Sequence, residues 1–164
     1  MRQIDNLVVH CADTPDGAYF DVDDIRDWHI NPKKLKDDKY KYKGVIYDSK
    51  EDLPEDVRNQ KGNGWSDVGY HYIVLLDGQI QKGREDKTTG AHVGGHNSNS
   101  IGICYIGGGN GEDTRTTPQK ASLVHLISFL RRLYPDSVVL GHRDFEGVTK
   151  ACPCFDAQDE YKYL

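Results

Sequence analysis

Two imidazoles and one thiol lie where they could hold a metal ion. The stretch Gly141-His142-Arg143-Asp144 is followed shortly by Lys150-Ala151-Cys152-Pro153, so His142 and Cys152 come near one turn with a lysine beside them. The best third ligand is His10, which follows the apolar run Leu7-Val8-Val9, because a strand delivers its end residue rigidly to a loop-lined site. Zinc favours four-coordinate tetrahedral geometry. Three protein ligands therefore leave one position for water, the arrangement of a catalytic rather than a structural site. One zinc ion per chain and a hydrolytic reaction are predicted. The other thiols read differently: alternation along a strand turns Cys11 away from a metal held by His10, and Cys104, inside the apolar run Ile101–Ile106, reads as a buried, unreactive thiol.

Elements must position these residues. Ile4–His10 reads as a first strand, and Asp21–Trp28 as a short helix whose acidic opening suits the positive end of the helix dipole. Gly69–Leu76 is apolar and aromatic, and Asp77-Gly78 is a turn signal before Gln79–Lys82, which predicts a hairpin. Ile101–Ile106 reads as a buried strand. Gly107–Gly111 reads as a loop that lacks the lysine and the serine or threonine of a phosphate-binding P-loop. Thr117 as N-cap, Pro118 at the first helical position, and Leu123, Leu126, Ile127, Leu130, Leu133 and Tyr134 at helical spacing predict the main amphipathic helix, about 17 residues long. Ser137–Leu140 is then a short strand leading into His142, and Asp156–Tyr161 a short terminal helix. Strands interleaved with helices imply an α/β fold (α+β by some schemes), with a mixed central sheet flanked by helices.

The chain of 164 residues fits one domain, 1–164. Its formal charge of -5 offers no broad basic face and argues against nucleic acid or an anionic membrane as partner. No run approaches the ~20 apolar residues of a membrane span, and no apolar segment of signal-peptide length follows Met1. Synthesis as a soluble cytoplasmic monomer with reduced thiols is expected. Residues 31–63 stand apart as a surface insertion in which lysines alternate with acidic residues and tyrosines. Tyr40, Tyr42, Val45, Ile46 and Tyr47 predict a small hairpin within it, because so long a segment without structure of its own is unusual in a compact domain.

With His10, Tyr70, His142, Lys150 and Cys152 in view, the chain resembles the zinc-dependent N-acetylmuramoyl-L-alanine amidases of the type 2 family, above all the amidase-type lysozymes of T-odd coliphages; the peptidoglycan recognition proteins look like relatives on the same fold. The matching pieces are Val9-His10-Cys11-Ala12, Gly64 to Tyr72, Gly90-Ala91-His92, Asn97 to Ile103, Gly141 to Asp144 and Lys150 to Pro153. They run in order along nearly the whole chain. The resemblance implies that His10, His142 and Cys152 bind zinc, that Tyr70 and Lys150 assist the chemistry, and that His92 and Asn99 contact substrate. It also implies peptidoglycan as the substrate and, for a phage endolysin, arrival at the wall through a separate holin-type membrane pore. Two features depart from the family pattern: Cys154, where many relatives carry glycine, which could compete for the metal or oxidise with Cys152, and the length of the 31–63 insertion.

Other readings remain open at this point. A non-catalytic peptidoglycan-binding module typically lacks the cysteine ligand, and Cys152 is present. The phage lysozymes that the chain resembles also inhibit RNA polymerase, a second activity that the acidic balance neither supports nor excludes. A cytosolic amidase that recycles anhydro-muropeptides usually has aspartate as third ligand.

Overall fold

The computed structural model describes residues 2–164. In chain order the strands are β1 Asn6–Cys11, β2 Lys33–Lys34, β3 Tyr40–Tyr42, β4 Val45–Tyr47, β5 Tyr72–Val74, β6 Ile80–Lys82, β7 Ser100–Tyr105 and β8 Val138–Gly141, and the helices are α1 Val22–Ile30, α2 Thr117–Leu133 and α3 Ala157–Tyr161. These elements form two compact units, one made of the described residues up to Asp21 with Tyr70–Leu164, the other of Val22–Gly69.

The first unit holds a five-stranded sheet in the order β6-β5-β7-β1-β8. Strands β5, β7, β1 and β8 run parallel, and β6 pairs antiparallel with β5. The sheet is thus mixed, as the interleaved pattern predicts. Leu7, Val8 and Val9 are all fully buried, which a central strand hydrogen-bonded on both sides and covered on both faces requires. Alternate residues serve different faces. Leu7, Val9 and Cys11 join Ile101, Ile103 and Tyr105 in a core cluster with Leu123, Leu126, Ile127 and Leu130 of α2 and Ala157 and Tyr161 of α3. His10, Gly102 and Cys104 turn the other way.

Helix α2 has 17 residues, but its N-cap is Thr116, not Thr117. A capping box needs a glutamine or glutamate three residues beyond the cap, and Gln119 meets that condition only for Thr116: its amide N–H donates to Thr116 Oγ1 while its Oε1 accepts from the Thr116 N–H. Pro118 therefore sits one residue further into the helix. At the other end Leu133 is 53% exposed and so leaves the apolar stripe, whereas Tyr134, the C-cap, packs against the core. The predicted hairpin joins β5 to β6 through Asp77-Gly78, with Gly78 at φ 86. β5 is shorter than Gly69–Leu76. Tyr70 precedes it, yet its carbonyl accepts from the Arg84 N–H at 2.9 Å, which holds its backbone in place.

The second unit carries α1, which buries Ile25 and His29, and a three-stranded antiparallel sheet in the order β2-β3-β4. The expected hairpin is β3–β4, whose turn residues Lys43 and Gly44 both take positive φ, as a type I′ turn requires. β2 is an addition that the sequence pattern does not signal. Trp65 packs against His29 with ring centroids 4.6 Å apart and planes tilted at 45°, and His29 Nδ1 accepts from the Gly69 N–H at 2.9 Å.

Candidate metal centre

His10 is the penultimate residue of β1, and His142 opens the 3-10 turn His142–Asp144 directly after β8. One imidazole thus sits near the carboxyl end of β1 and the other just past that of β8, the end of an open sheet where ligands are commonly placed. Cys152 arrives from the loop before α3. One ligand atom from each of His10, His142 and Cys152 lies within 4.8 Å of the others. The two imidazole centroids are 4.6 Å apart, and Cys152 Sγ is 3.8 Å from His10 Nδ1. Two imidazole nitrogens and one thiol sulfur suit a tetrahedral ion with a fourth position open.

Short hydrogen bonds fix the loop half of this cluster. The Arg143 N–H donates to the Cys152 carbonyl at 2.7 Å, tying the His142 and Cys152 segments together. Gly141 lies against Pro153 so closely that a Cβ there would come within 2.6 Å of the proline ring, and the Tyr105 hydroxyl donates to the Pro153 carbonyl at 2.7 Å. The Cys11 N–H points at Cys152 Sγ at 3.3 Å, which ties the end of β1 to the Cys152 loop.

The cluster opens onto a cavity of about 330 Å³ lined also by Tyr70, Lys150, Asp13, Gly108 and Gly111. Tyr70 stands with its ring 5.1 Å from that of His10, and burial, with the neighbouring Cys104, Cys152 and Cys11 thiols, holds its phenol protonated well above the usual range. Burial and then the positive charge of Lys150 lower the His142 pKa, which favours the neutral imidazole that a metal needs. Asp13, Gly108 and Gly111 do not stand out by residue type. Their signal is position: they follow the carboxyl ends of β1 and β7.

Cys154 does not join the three-ligand group. Its sulfur lies 3.6 Å from Cys11 Sγ and 3.5 Å from the Gly108 carbonyl oxygen, and burial followed by Cys11 pushes its pKa up to about 12. Cys104 is fully buried. The structure does not bring Asn99 into the cavity: its amide donates to Asp5 Oδ2 at 2.8 Å, beside a backbone bond from the Asp5 N–H to the Asn99 carbonyl. His92 is also outside the cavity lining. It lies behind His10, its Nδ1 3.0 Å from His10 Nε2. His71 turns away from Tyr70, and its Nδ1 accepts from the Gly102 N–H at 2.9 Å.

Residues 1–155 match the family described as N-acetylmuramoyl-L-alanine amidase. The chain belongs to this amidase family. It is 33% identical over 161 residues to the endolysin of Enterobacteria phage K11, covering 96% of this chain and 85% of that one. It is likewise 33% identical over 156 residues to the endolysin of Escherichia phage T7, covering 93% and 82%. Among solved structures, the Ph2119 endolysin from the Thermus scotoductus bacteriophage superposes with a TM-score of 0.66 at 22% identity, covering 93% of this chain and 79% of that one. Drosophila PGRP-LB does so with a TM-score of 0.65 at 22% identity, covering 100% and 82%; both share the fold. The amidase is thus an enzyme that hydrolyses the amide between N-acetylmuramic acid and L-alanine in peptidoglycan. Among the described residues, no helix is long and apolar enough to cross a membrane.

Proposed function

We propose that this amidase is a zinc-dependent endolysin, in which His10, His142 and Cys152 hold one zinc ion and Tyr70 and Lys150 assist cleavage. The observation that carries this reading is the convergence of the three donors within 4.8 Å of one another, in a cavity that Tyr70 and Lys150 also line. Likeness to phage endolysins over most of the chain supports the endolysin role. The presence of Cys152 speaks against a module that only binds the wall.

An amide is a poor electrophile, so the site must stabilise the oxyanion that forms when its carbonyl is attacked. Zinc held there would supply an activated water and polarise the carbonyl. Lys150 is exposed at the cavity, and its ammonium offers N–H donors to the oxyanion. Tyr70 keeps its phenolic proton at neutral pH, which suits it to donate toward the leaving nitrogen. Purified sacculi test the reading: clearing should stop with chelator and return with added zinc, and the products should be stem peptides with a free N-terminal L-alanine. Clearing that ignores the chelator, or fragments cut within the glycan, would contradict it.

A further inference from the structure

We infer that His92 is a positioning residue for His10, fixing the tautomer and ring orientation in which His10 turns Nδ1 toward the metal. The inference rests on the metal reading above. Its evidence is a run of hydrogen bonds whose proton positions follow from one fixed end. The Ser100 hydroxyl lies 2.7 Å from the His96 carbonyl, which can only accept, so the hydroxyl proton goes there. Ser100 Oγ also lies 3.3 Å from His92 Nε2. With its one proton committed, the hydroxyl must accept from that nitrogen, and His92 carries its proton on Nε2. A neutral imidazole protonated at Nε2 has a lone pair on Nδ1. That lone pair faces His10 Nε2 at 3.0 Å, so His10 is protonated at Nε2 and its own lone pair is on Nδ1, the atom 3.8 Å from Cys152 Sγ.

The pocket around His92 is shaped for this imidazole. A Cβ on Gly102 would come within 2.6 Å of the His92 ring, and a Cβ on Gly90 equally close, so two glycines leave the room the ring occupies. Asn97 Oδ1 accepts from the backbone N–H groups of His92 and Val93 at 2.7 and 2.9 Å, which pins the segment at its base. His92 is only 8% exposed and meets the His10 ring edge-on, with centroids 5.0 Å apart and planes at 86°. A residue that gripped the sugar or peptide would have to reach the cavity. His92 sits one layer behind it. Partners of this kind commonly contribute 10- to 100-fold, in order of magnitude (~10–100), to metal affinity by setting ligand tautomer and orientation.

The test combines zinc affinity by chelator competition with kcat and KM on peptidoglycan for wild type, His10→Ala, His92→Phe, His92→Asn and Ser100→Ala, and adds imidazole tautomers read by nitrogen-15 NMR of the zinc-loaded wild type. His92→Phe fills the space without an acceptor and should weaken zinc binding by about 10- to 100-fold with KM unchanged at saturating zinc. His92→Asn, which restores a carbonyl acceptor, should recover part of the loss, and Ser100→Ala should lose less than His92→Phe. The spectrum, which needs no variant to fold, should show the protons of both His10 and His92 on Nε2. A proton on His92 Nδ1, or wild-type zinc affinity with raised KM in His92→Phe, would overturn the inference while leaving the metal site standing. If wild type bound no zinc, or His10→Ala kept it, the metal reading would fail and the inference with it.

Discussion

His10 reaches the site from a strand hydrogen-bonded on both sides, whereas His142 and Cys152 reach it from a turn and a loop. The strand half is fixed by burial: Leu7 to Val9 are fully buried, His10 is 1% exposed, and β1 keeps continuous parallel register with β7 and β8. The loop half is fixed by single contacts, chiefly the Arg143 N–H on the Cys152 carbonyl and the Tyr105 hydroxyl on the Pro153 carbonyl. The same forces that fold the protein thus place one of the three candidate ligands, while the other two depend on a few local hydrogen bonds. Damage to the strand half should therefore appear in stability as well as in activity, and damage to the loop half mainly in activity.

Acid probes the strand half through one buried imidazole. His71 packs beside the strand half, where its Nδ1 accepts from the Gly102 N–H, and burial lowers its pKa from 6.5 to about 4. In the unfolded chain this imidazole takes up a proton near 6.5 and in the folded protein only near 4. Stability is therefore lost as pH falls through that window and is level below it. The difference is about 3 kcal/mol at the acid end. Denaturant unfolding of metal-free protein between pH 7 and 4 should show the decline, and His71→Gln should make it shallower, the remainder coming from His92 and His142, whose pKa values burial also lowers. An unchanged slope in His71→Gln would remove the strand half's special sensitivity.

A slightly smaller effect compares one assisting group from each side. Tyr70→Phe and Lys150→Ala should each lower kcat by about 10²-fold, roughly 2.7 kcal/mol, if they act on the transition state, and both should retain zinc. Tyr70 is close to His10 and partly buried, whereas Lys150 is exposed, so Tyr70→Phe should also shift the melting temperature while Lys150→Ala leaves it unchanged. Equal melting shifts, or full kcat in both variants, would break the comparison.

Much of this division could be read from the residues. The run Leu7-Val8-Val9 marks β1 because three consecutive apolar residues suit a strand covered on both faces, and the spacing of Leu123, Leu126, Ile127 and Leu130 marks α2 because that stripe is what the core buries. The cap of α2 is misplaced by one residue since Thr116 and Thr117 are both good caps, and only Gln119 decides between them. β5 is overextended because its apolar run continues beyond the residues that pair with β7. The triad itself comes from the resemblance together with the placement of His10 after a strand. The contact of His92 with His10 spans 82 residues, and that of Cys154 with Cys11 spans 143. Neither leaves a local pattern, because both exist only once the sheet and its loops have assembled.

The central claim is that Cys152, and not its neighbour Cys154, completes a zinc site with His10 and His142. Elemental analysis of purified wild type, Cys152→Ser and Cys154→Ser, with activity measured on the same samples, tests it most directly. One zinc per chain in wild type and Cys154→Ser, with zinc and most activity lost in Cys152→Ser, is the result predicted. Full zinc and full activity in Cys152→Ser, with both lost in Cys154→Ser, would contradict it.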